Sequence, residues 1–333
     1  MKILSIIGTR PQYIKIKPFY DLCKRLRVDH QIVDTYQHFS PNVSSQIIKD
    51  LGLEIDFTLD LTNYSELNFI SECLLKINTF LSLMNPNIVM TFGDTNSTFC
   101  AALASYKRGI PVAHIEAGER CGDSLVPEEI NRLFVDSVSS LKFCSSERAL
   151  KQVSNGIFCG DLEYEYLNKL DPKISFEEFG VMTIHRQENC NIKQLEKIIQ
   201  FCSRILIPIK FFVHHRIDSL VRKMSLPSNI QKLEPCSYTQ MIDYLSRCSF
   251  VLTDSGSLQK ISPFFGKSTL VFRSLAEWQD TFVFNFAKRC QFSITDSSWL
   301  LSSAPVRDQS FYLSEEPPSK IILSFVEKFL ETK

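Results

Sequence analysis

Acids and cations recur in this chain wherever an apolar run ends. Gly8-Thr9-Arg10-Pro11-Gln12 follows Ile3–Gly8, with Lys15 close behind; Gly93-Asp94-Thr95-Asn96-Ser97 follows Ile88–Phe92; Glu116-Ala117-Gly118-Glu119-Arg120 follows Val112–Ile115. Pro127-Glu128-Glu129-Ile130-Asn131-Arg132 opens another helical pattern. Asp94, Glu116 and Glu128, gathered around one substrate carbon, would supply general acid and base, because crowded carboxylates push their pKa values apart. The plainer reading stands beside it. Asp94 and Thr95 suit a helix cap, and acids beside Pro127 suit an ordinary first turn.

The second half repeats the arrangement. His185-Arg186-Gln187-Glu188-Asn189 follows Val181–Ile184, His214-His215-Arg216 closes the run Phe211–His214, and Asp254-Ser255-Gly256-Ser257 follows Phe250–Thr253. A small, hydroxyl-rich turn at a helix start offers free backbone N–H groups to a phosphate, although the same pattern also serves as a simple cap. His185 and Glu188 have a His-x-x-Glu spacing, but no second ligand pair accompanies them, so a phosphate or sugar hydroxyl is the better partner for His185. His214 and His215 read equally well as partly buried strand-end residues. The chain has no Gly-x-Gly-x-x-Gly, no complete Walker-type Gly-x-x-x-x-Gly-Lys-Ser/Thr and no nucleophile elbow, which disfavours dinucleotide, ATPase and serine-hydrolase chemistry.

Positioning these clusters falls to short apolar strands alternating with helical patterns. His30–Thr35, Leu141–Cys144, Ile230–Glu234 and Thr269–Phe272 complete the strands; Ile16–Leu26, Leu67–Leu83, Asn96–Lys107 and Cys190–Leu206 are among the helices. Nearly continuous apolar strands in such alternation imply parallel sheets covered on both faces. Asp171-Pro172 interrupts the rhythm near Leu167–Glu178. The expected architecture is α/β: two Rossmann-like doubly wound domains facing across a cleft, 1–168 and 169–316, with a last helix in 317–333 closing the chain. Ligands of this class lie at the carboxyl ends of the strands.

Composition narrows the function classes. The 333 residues are 44% hydrophobic and 22% charged, ordinary for a globular chain of roughly two domains. Lys+Arg and Asp+Glu both number 37, so a broad basic surface for nucleic acid or membrane is not expected. Ile199–Val213, the most apolar stretch, is broken by Arg204 and Lys210 and is too short to span a bilayer. Met1–Gly8 reads as a first buried strand, not a signal peptide, which sets the expectation of a cytoplasmic protein. Eleven cysteines without a Cys-x-x-Cys agree with reduced, packed thiols.

Taken in order, these segments resemble the UDP-N-acetylglucosamine 2-epimerase family, chiefly its non-hydrolysing type. The resemblance runs from residue 1 to about residue 281. Its matching pieces are Gly8–Lys15, Gln37-His38, Gly93–Thr98, His114–Arg120, Pro127–Arg132, Ser146-Glu147-Arg148, Gly160-Asp161, Thr183–Asn189 and Asp254-Ser255-Gly256. Pro11-Gln12-Tyr13-Ile14-Lys15 and Glu277-Trp278 look closest to the branch that includes UDP-2,3-diacetamido-glucuronate 2-epimerases. The resemblance implies a GT-B-like fold, a UDP-amino-sugar substrate, no cofactor, no metal, and a homodimer. It implies C2 epimerisation by elimination and re-addition of UDP, in the setting of polysaccharide synthesis. By position, Asp94, Glu116, Glu128 and His185 match catalytic residues. Arg10, Lys15, Arg120, Asn131, Arg132, His214, Ser255, Gly256 and Ser257 match substrate contacts.

This chain also departs from the family's pattern. Ser257 stands at a usual glycine, and Ile261 stands where a glutamate that holds the ribose is expected, so the nucleotide must rely on the helix-end turn and nearby backbone. No glycine-rich loop follows Thr281, and effector-site residues are only partly matched, by Gln37 and Gln46. The alternatives are a hydrolysing epimerase releasing free sugar and UDP, a glycosyltransferase on the same fold, and a non-catalytic nucleotide-sugar-binding homologue.

Overall fold

The computed structural model describes residues 1–37, 41–62, 65–123, 125–274, 277–302, 312 and 314–332, with the side chains of 41–44 left aside; His38 lies outside the described residues. The chain divides into two compact units, one of Met1–Leu170 with Ser310–Lys333 and one of Asp171–Gln309. Each is a Rossmann-like α/β unit built on a parallel sheet.

In the first unit the strands are β1 (Lys2–Ile7), β2 (Asp29–Asp34), β3 (Phe57–Thr58), β4 (Ile88–Phe92), β5 (Val112–Ile115), β6 (Leu141–Cys144) and β7 (Gly156–Phe158). Their order is β3-β2-β1-β4-β5-β6-β7, all neighbours parallel. The direction of winding reverses between β1 and β4, the place where such sheets leave a crevice. Leu4, Ile6, Val33 and Val89 form a core with Phe69, Cys73, Ile77 and Leu81 of the helix Glu66–Met84 and with Cys100, Ala101 and Ala104 of the helix Asn96–Lys107. The last helix, Pro318–Glu331, packs within this unit against the helices Arg10–Leu26 and Leu162–Leu170.

The second unit holds β8 (Gly180–Ile184), β9 (Ile209–Val213), β10 (Ile230–Leu233), β11 (Phe250–Thr253), β12 (Ser268–Val271) and β13 (Ala287–Arg289). The order is β10-β9-β8-β11-β12-β13, again parallel throughout, with the reversal between β8 and β11. Met182, Ile184, Phe211, Val213, Leu252 and Leu270 pack on Leu195, Ile198 and Cys202 of the helix Ile192–Cys202.

Three strands have no counterpart in the sequence reading: β3, β7 and β13. Each is two or three residues long and lies at a sheet edge, where a brief, partly exposed pairing leaves no apolar run. The first helix also starts earlier than expected, at Arg10 and not at Ile16. Pro11 fits the first turn, and Gln12 Oε1 accepts hydrogen bonds from the N–H of Gly8 at 2.8 Å and of the N-cap Thr9 at 3.1 Å. The run Phe211–His214 ends one residue sooner, since His214 caps the helix His215–Val221. None of the eleven cysteines is in a disulfide. Among the described residues, no helix is long and apolar enough to cross a membrane.

Candidate functional site

In the first unit the polar residues meet at the reversal between β1 and β4. The early helix start places Lys15 in the second turn, where it is buried and its ammonium is paired with Glu116. Glu116 itself is only 8% exposed and has a positive φ of 70°, a left-handed conformation costing about 1–2 kcal/mol for a residue with a side chain. Strain of this kind tends to persist at functional sites. Gly93, just before Asp94, also has a positive φ, 65°, and a Cβ there would lie 3.1 Å from Glu116 Oε2 and 3.9 Å from Lys15 Nζ. The Glu116–Lys15 pair therefore stands directly beside the β4 turn that carries Asp94.

Asp94 is half-buried, and its carboxylate is paired with Arg132. The other arm of Arg132 donates to Glu129 Oε2 at 2.9 Å. Glu129 in turn accepts from the N–H groups of Cys121 at 3.0 Å and Gly122 at 3.3 Å. Burial would raise the Glu129 pKa, but the Cys121 hydrogen bonds and Arg132 outweigh it and hold the carboxyl below its ordinary value. Arg132 is thus a fork between a candidate catalytic acid and a structural one. Asn131 donates its amide to Asp94 O at 2.9 Å and to Asn96 Oδ1 at 3.2 Å. Its amide holds the turn.

Arg120 donates at 2.6 Å to Asp136 Oδ2, which also accepts from Gly118 N at 3.2 Å. Burial again pushes the Asp136 pKa up, while His114 and Arg120 more than offset it, leaving the group below the usual carboxylate range. Glu128 sits half-buried in the first turn of the helix Pro127–Val138, one turn before Arg132. Arg10, half-buried, is the first residue of its helix. The structure therefore brings Asp94 and Glu116 to one turn, each with its cation.

In the second unit the corresponding reversal is organised by Asp254, which is fully buried. Its carboxylate accepts from His185 N at 3.0 Å, Arg186 N at 2.9 Å and Asn189 Nδ2 at 2.9 Å, and lies 3.1 Å from His185 Nδ1. Burial raises the Asp254 pKa, yet the hydrogen bonds from His185, Asn189 and Arg186 win and hold it below its ordinary value. With Nδ1 so engaged, Nε2 of the part-exposed His185 is the nitrogen left for a ligand. The His185 and His214 rings are 5.5 Å apart, and His214 Nδ1 accepts from Arg216 N at 3.3 Å. Ser255 caps the helix Gly256–Ile261, which continues as a 3-10 turn over Ser262–Phe265. Ser257 is half-buried in that first turn. A Cβ on Gly256 would meet Trp278 Nε1 at 3.3 Å and Glu277 Oε2 at 3.4 Å, so the turn is backed closely by the Arg273–Glu277 ion pair and Trp278. Ile261 is 1% exposed and turned into the core.

Sequence reasoning gave no role to Gln12, His114, Asp136 or the carboxylate of Asp254. Each is a buried polar side chain in or beside an apolar run, which is itself the available signal, because such groups are retained only with partners. Among the described residues no group of three or more His, Cys, Asp or Glu side chains is placed to hold a metal ion.

Comparison with known proteins follows the same path. The family model for UDP-N-acetylglucosamine 2-epimerase matches residues 21–294. A UDP-2,3-diacetamido-2,3-dideoxy-D-glucuronate 2-epimerase of Pseudomonas aeruginosa is 34% identical over 300 residues, covering 84% of this chain and 85% of that protein. A UDP-N-acetylglucosamine 2-epimerase homolog of Methanococcus maripaludis is 33% identical, with 84% and 86% covered. The fold is similar to that of Methanocaldococcus jannaschii UDP-GlcNAc 2-epimerase, solved in complex with UDP-GlcNAc and UDP, at a TM-score of 0.86 and 24% identity, covering 98% of this chain and 100% of that one.

Proposed function

Because the chain belongs to the UDP-N-acetylglucosamine 2-epimerase family, we propose that it is an isomerase inverting C2 of a UDP-linked N-acetylamino sugar. The substrate is UDP-N-acetylglucosamine or a close relative such as its 2,3-diacetamido-glucuronate counterpart, the sugar named for the Pseudomonas aeruginosa relative. In this reading a carboxylate takes the C2 proton. The C–H electrons form the C1=C2 bond, and the C1–O bond breaks with its electrons leaving on UDP. Re-addition of UDP at C1, with a proton delivered to the other face of C2, gives the epimer.

The observation that carries the proposal is the pair Asp94–Arg132 and Glu116–Lys15 flanking Gly93 at the winding reversal of the first sheet. Two acids, each held by a cation, can stand close together without the repulsion of two bare charges, and they supply the proton transfers that the reaction needs. Glu128, one turn before Arg132 in the same helix, is the third acid of this reading. The leaving diphosphate falls to the second unit. His185 presents Nε2, Ser255, Gly256 and Ser257 present a helix-end turn, and such donors stabilise charge developing in the transition state. The two Rossmann-like units are those of a GT-B-like fold. Arg10 and Arg120 then line the sugar and diphosphate, the protein works as a homodimer on a cytoplasmic nucleotide-sugar pool, and its product serves polysaccharide synthesis.

Incubation with UDP-N-acetylglucosamine and with the diacetamido-glucuronate nucleotide, followed by NMR of the products, tests the reading. A nucleotide-linked sugar with altered C2 configuration is expected, whereas free sugar plus UDP would assign the hydrolysing reaction. Ile261, which cannot accept ribose hydroxyls where a glutamate is expected, favours one second reading, a nucleotide-sugar-binding homologue without turnover. Binding of both nucleotides with conversion of neither is the result that selects it.

A further inference from the structure

His114 is completely buried in β5, two residues before Glu116, and each of its ring nitrogens faces an oxygen. Nδ1 lies 2.7 Å from Asp136 Oδ1, on the helix Pro127–Val138. Nε2 lies 2.8 Å from the carbonyl of Gly93, which can only accept, so Nε2–H is the donor there. The Gly93 amide donates to Ile115 O at 2.9 Å, so β5 and its histidine hold this peptide residue at both ends. Neighbouring carbonyls are gripped in the same manner. Gln12 Nε2 donates to Phe92 O at 2.6 Å, and Asn131 Nδ2 to Asp94 O at 2.9 Å. Three consecutive carbonyls at the end of β4 are thus each taken by a side chain from a different element.

Of the three, His114 alone shares a strand end with Glu116. Its grip on Gly93 O fixes the left-handed glycine whose Cα faces the Glu116 carboxylate, and the next residue is Asp94. We infer that His114 is a positioning residue for this reaction, setting through the Gly93 carbonyl the separation of Asp94 and Glu116, with Asp136 orienting the ring. The inference rests on the epimerase reading for its kinetic test only.

Two substitutions separate the two ring contacts. His114→Gln places an amide nitrogen near the position of Nε2 and keeps a donor for Gly93 O. His114→Asn reaches only the Nδ1 position, keeping the Asp136 contact and releasing Gly93. Both remove a buried ring and lower stability to a similar extent. Positioning predicts that kcat for C2 epimerisation falls roughly 10–100-fold in His114→Asn, with KM within about threefold, while His114→Gln stays within about fivefold of the parent. The 13C shift of the Gly93 carbonyl should move in His114→Asn and hold in His114→Gln. Equal losses of kcat in both variants, tracking stability, would show a purely structural residue and overturn the inference. Full kcat in His114→Asn, or an unchanged Gly93 carbonyl there, would do the same. Should the parent convert no UDP-amino-sugar, the function fails while the carbonyl shift still decides whether His114 holds Gly93.

Discussion

Replacing Gly93 by alanine perturbs the candidate site through a single methyl group, and a second glycine supplies its control. Gly93 has φ 65° and Gly109 has φ 70°; a Cβ at Gly93 meets Glu116 Oε2 at 3.1 Å, whereas at Gly109 nothing lies within 4 Å. Each substitution therefore carries the same left-handed backbone cost, about 1–2 kcal/mol. Only Gly93→Ala also pushes on the carboxylate, which must give by a few tenths of an ångström against its pairing with Lys15. Misplacing reacting groups by 1 Å can cost about 100-fold in rate, so a displacement of this size should lower kcat by about tenfold. Urea denaturation of both variants, with epimerisation rates measured beside it, separates the two effects. Similar stability losses with the rate lost only in Gly93→Ala are expected. A fully active Gly93→Ala, or an equally inactive Gly109→Ala, would refute the placement of Glu116 beside the chemistry.

Burial holds the Asp34 carboxyl at about 6, against the opposing hydrogen bonds from Tyr36 N and Tyr13 OH. The folded state then binds more protons than the unfolded chain between the ordinary value and 6, so stability falls as pH rises through that window and levels off above it. Asp34→Asn should remove that fall, gaining up to ~3 kcal/mol on the parent between pH 4 and 7 in denaturation measured at both. For Asp254 the sign is opposite: its lowered pKa gives stability that is present above the unfolded value and lost as pH falls through the folded one. Asp254→Asn should cost about 3 kcal/mol at neutral pH and lower kcat by releasing His185, readable by urea denaturation and steady-state kinetics. Arg132→Lys loses the fork joining Asp94 to Glu129 and should reduce kcat about tenfold or more with only about 1–2 kcal/mol of stability, whereas unchanged kcat would detach Arg132 from the reaction.

The central strands were legible because parallel strands buried on both faces leave continuous apolar runs, as in Ile88–Phe92 and Phe250–Thr253. Edge pairings of two or three residues carry no such signal, which hid β3, β7 and β13. Arg10-Pro11-Gln12 read as a polar turn because the cap closes through a glutamine side chain, and its consequence, a buried Lys15 reaching Glu116, depends on packing across 101 residues. The acids at the strand ends stood out by their spacing. Their supports did not. His114 meets Asp136 only once β5 and the helix Pro127–Val138 pack, and Asp254, whose sequence suggested part of a phosphate turn, spends its carboxylate on backbone and side chains 65–69 residues earlier. Nothing local marks Glu116 for a left-handed φ. That conformation is imposed from outside.

Exchange of the C2 hydrogen of UDP-N-acetylglucosamine in heavy water, followed by NMR for the parent, Asp94→Asn and Glu116→Gln, reaches the proton transfer itself. Deuterium should enter C2 with the parent, and exchange should collapse in both variants while nucleotide binding persists. Undiminished exchange in the two variants would contradict the assignment of these carboxylates to the C2 proton.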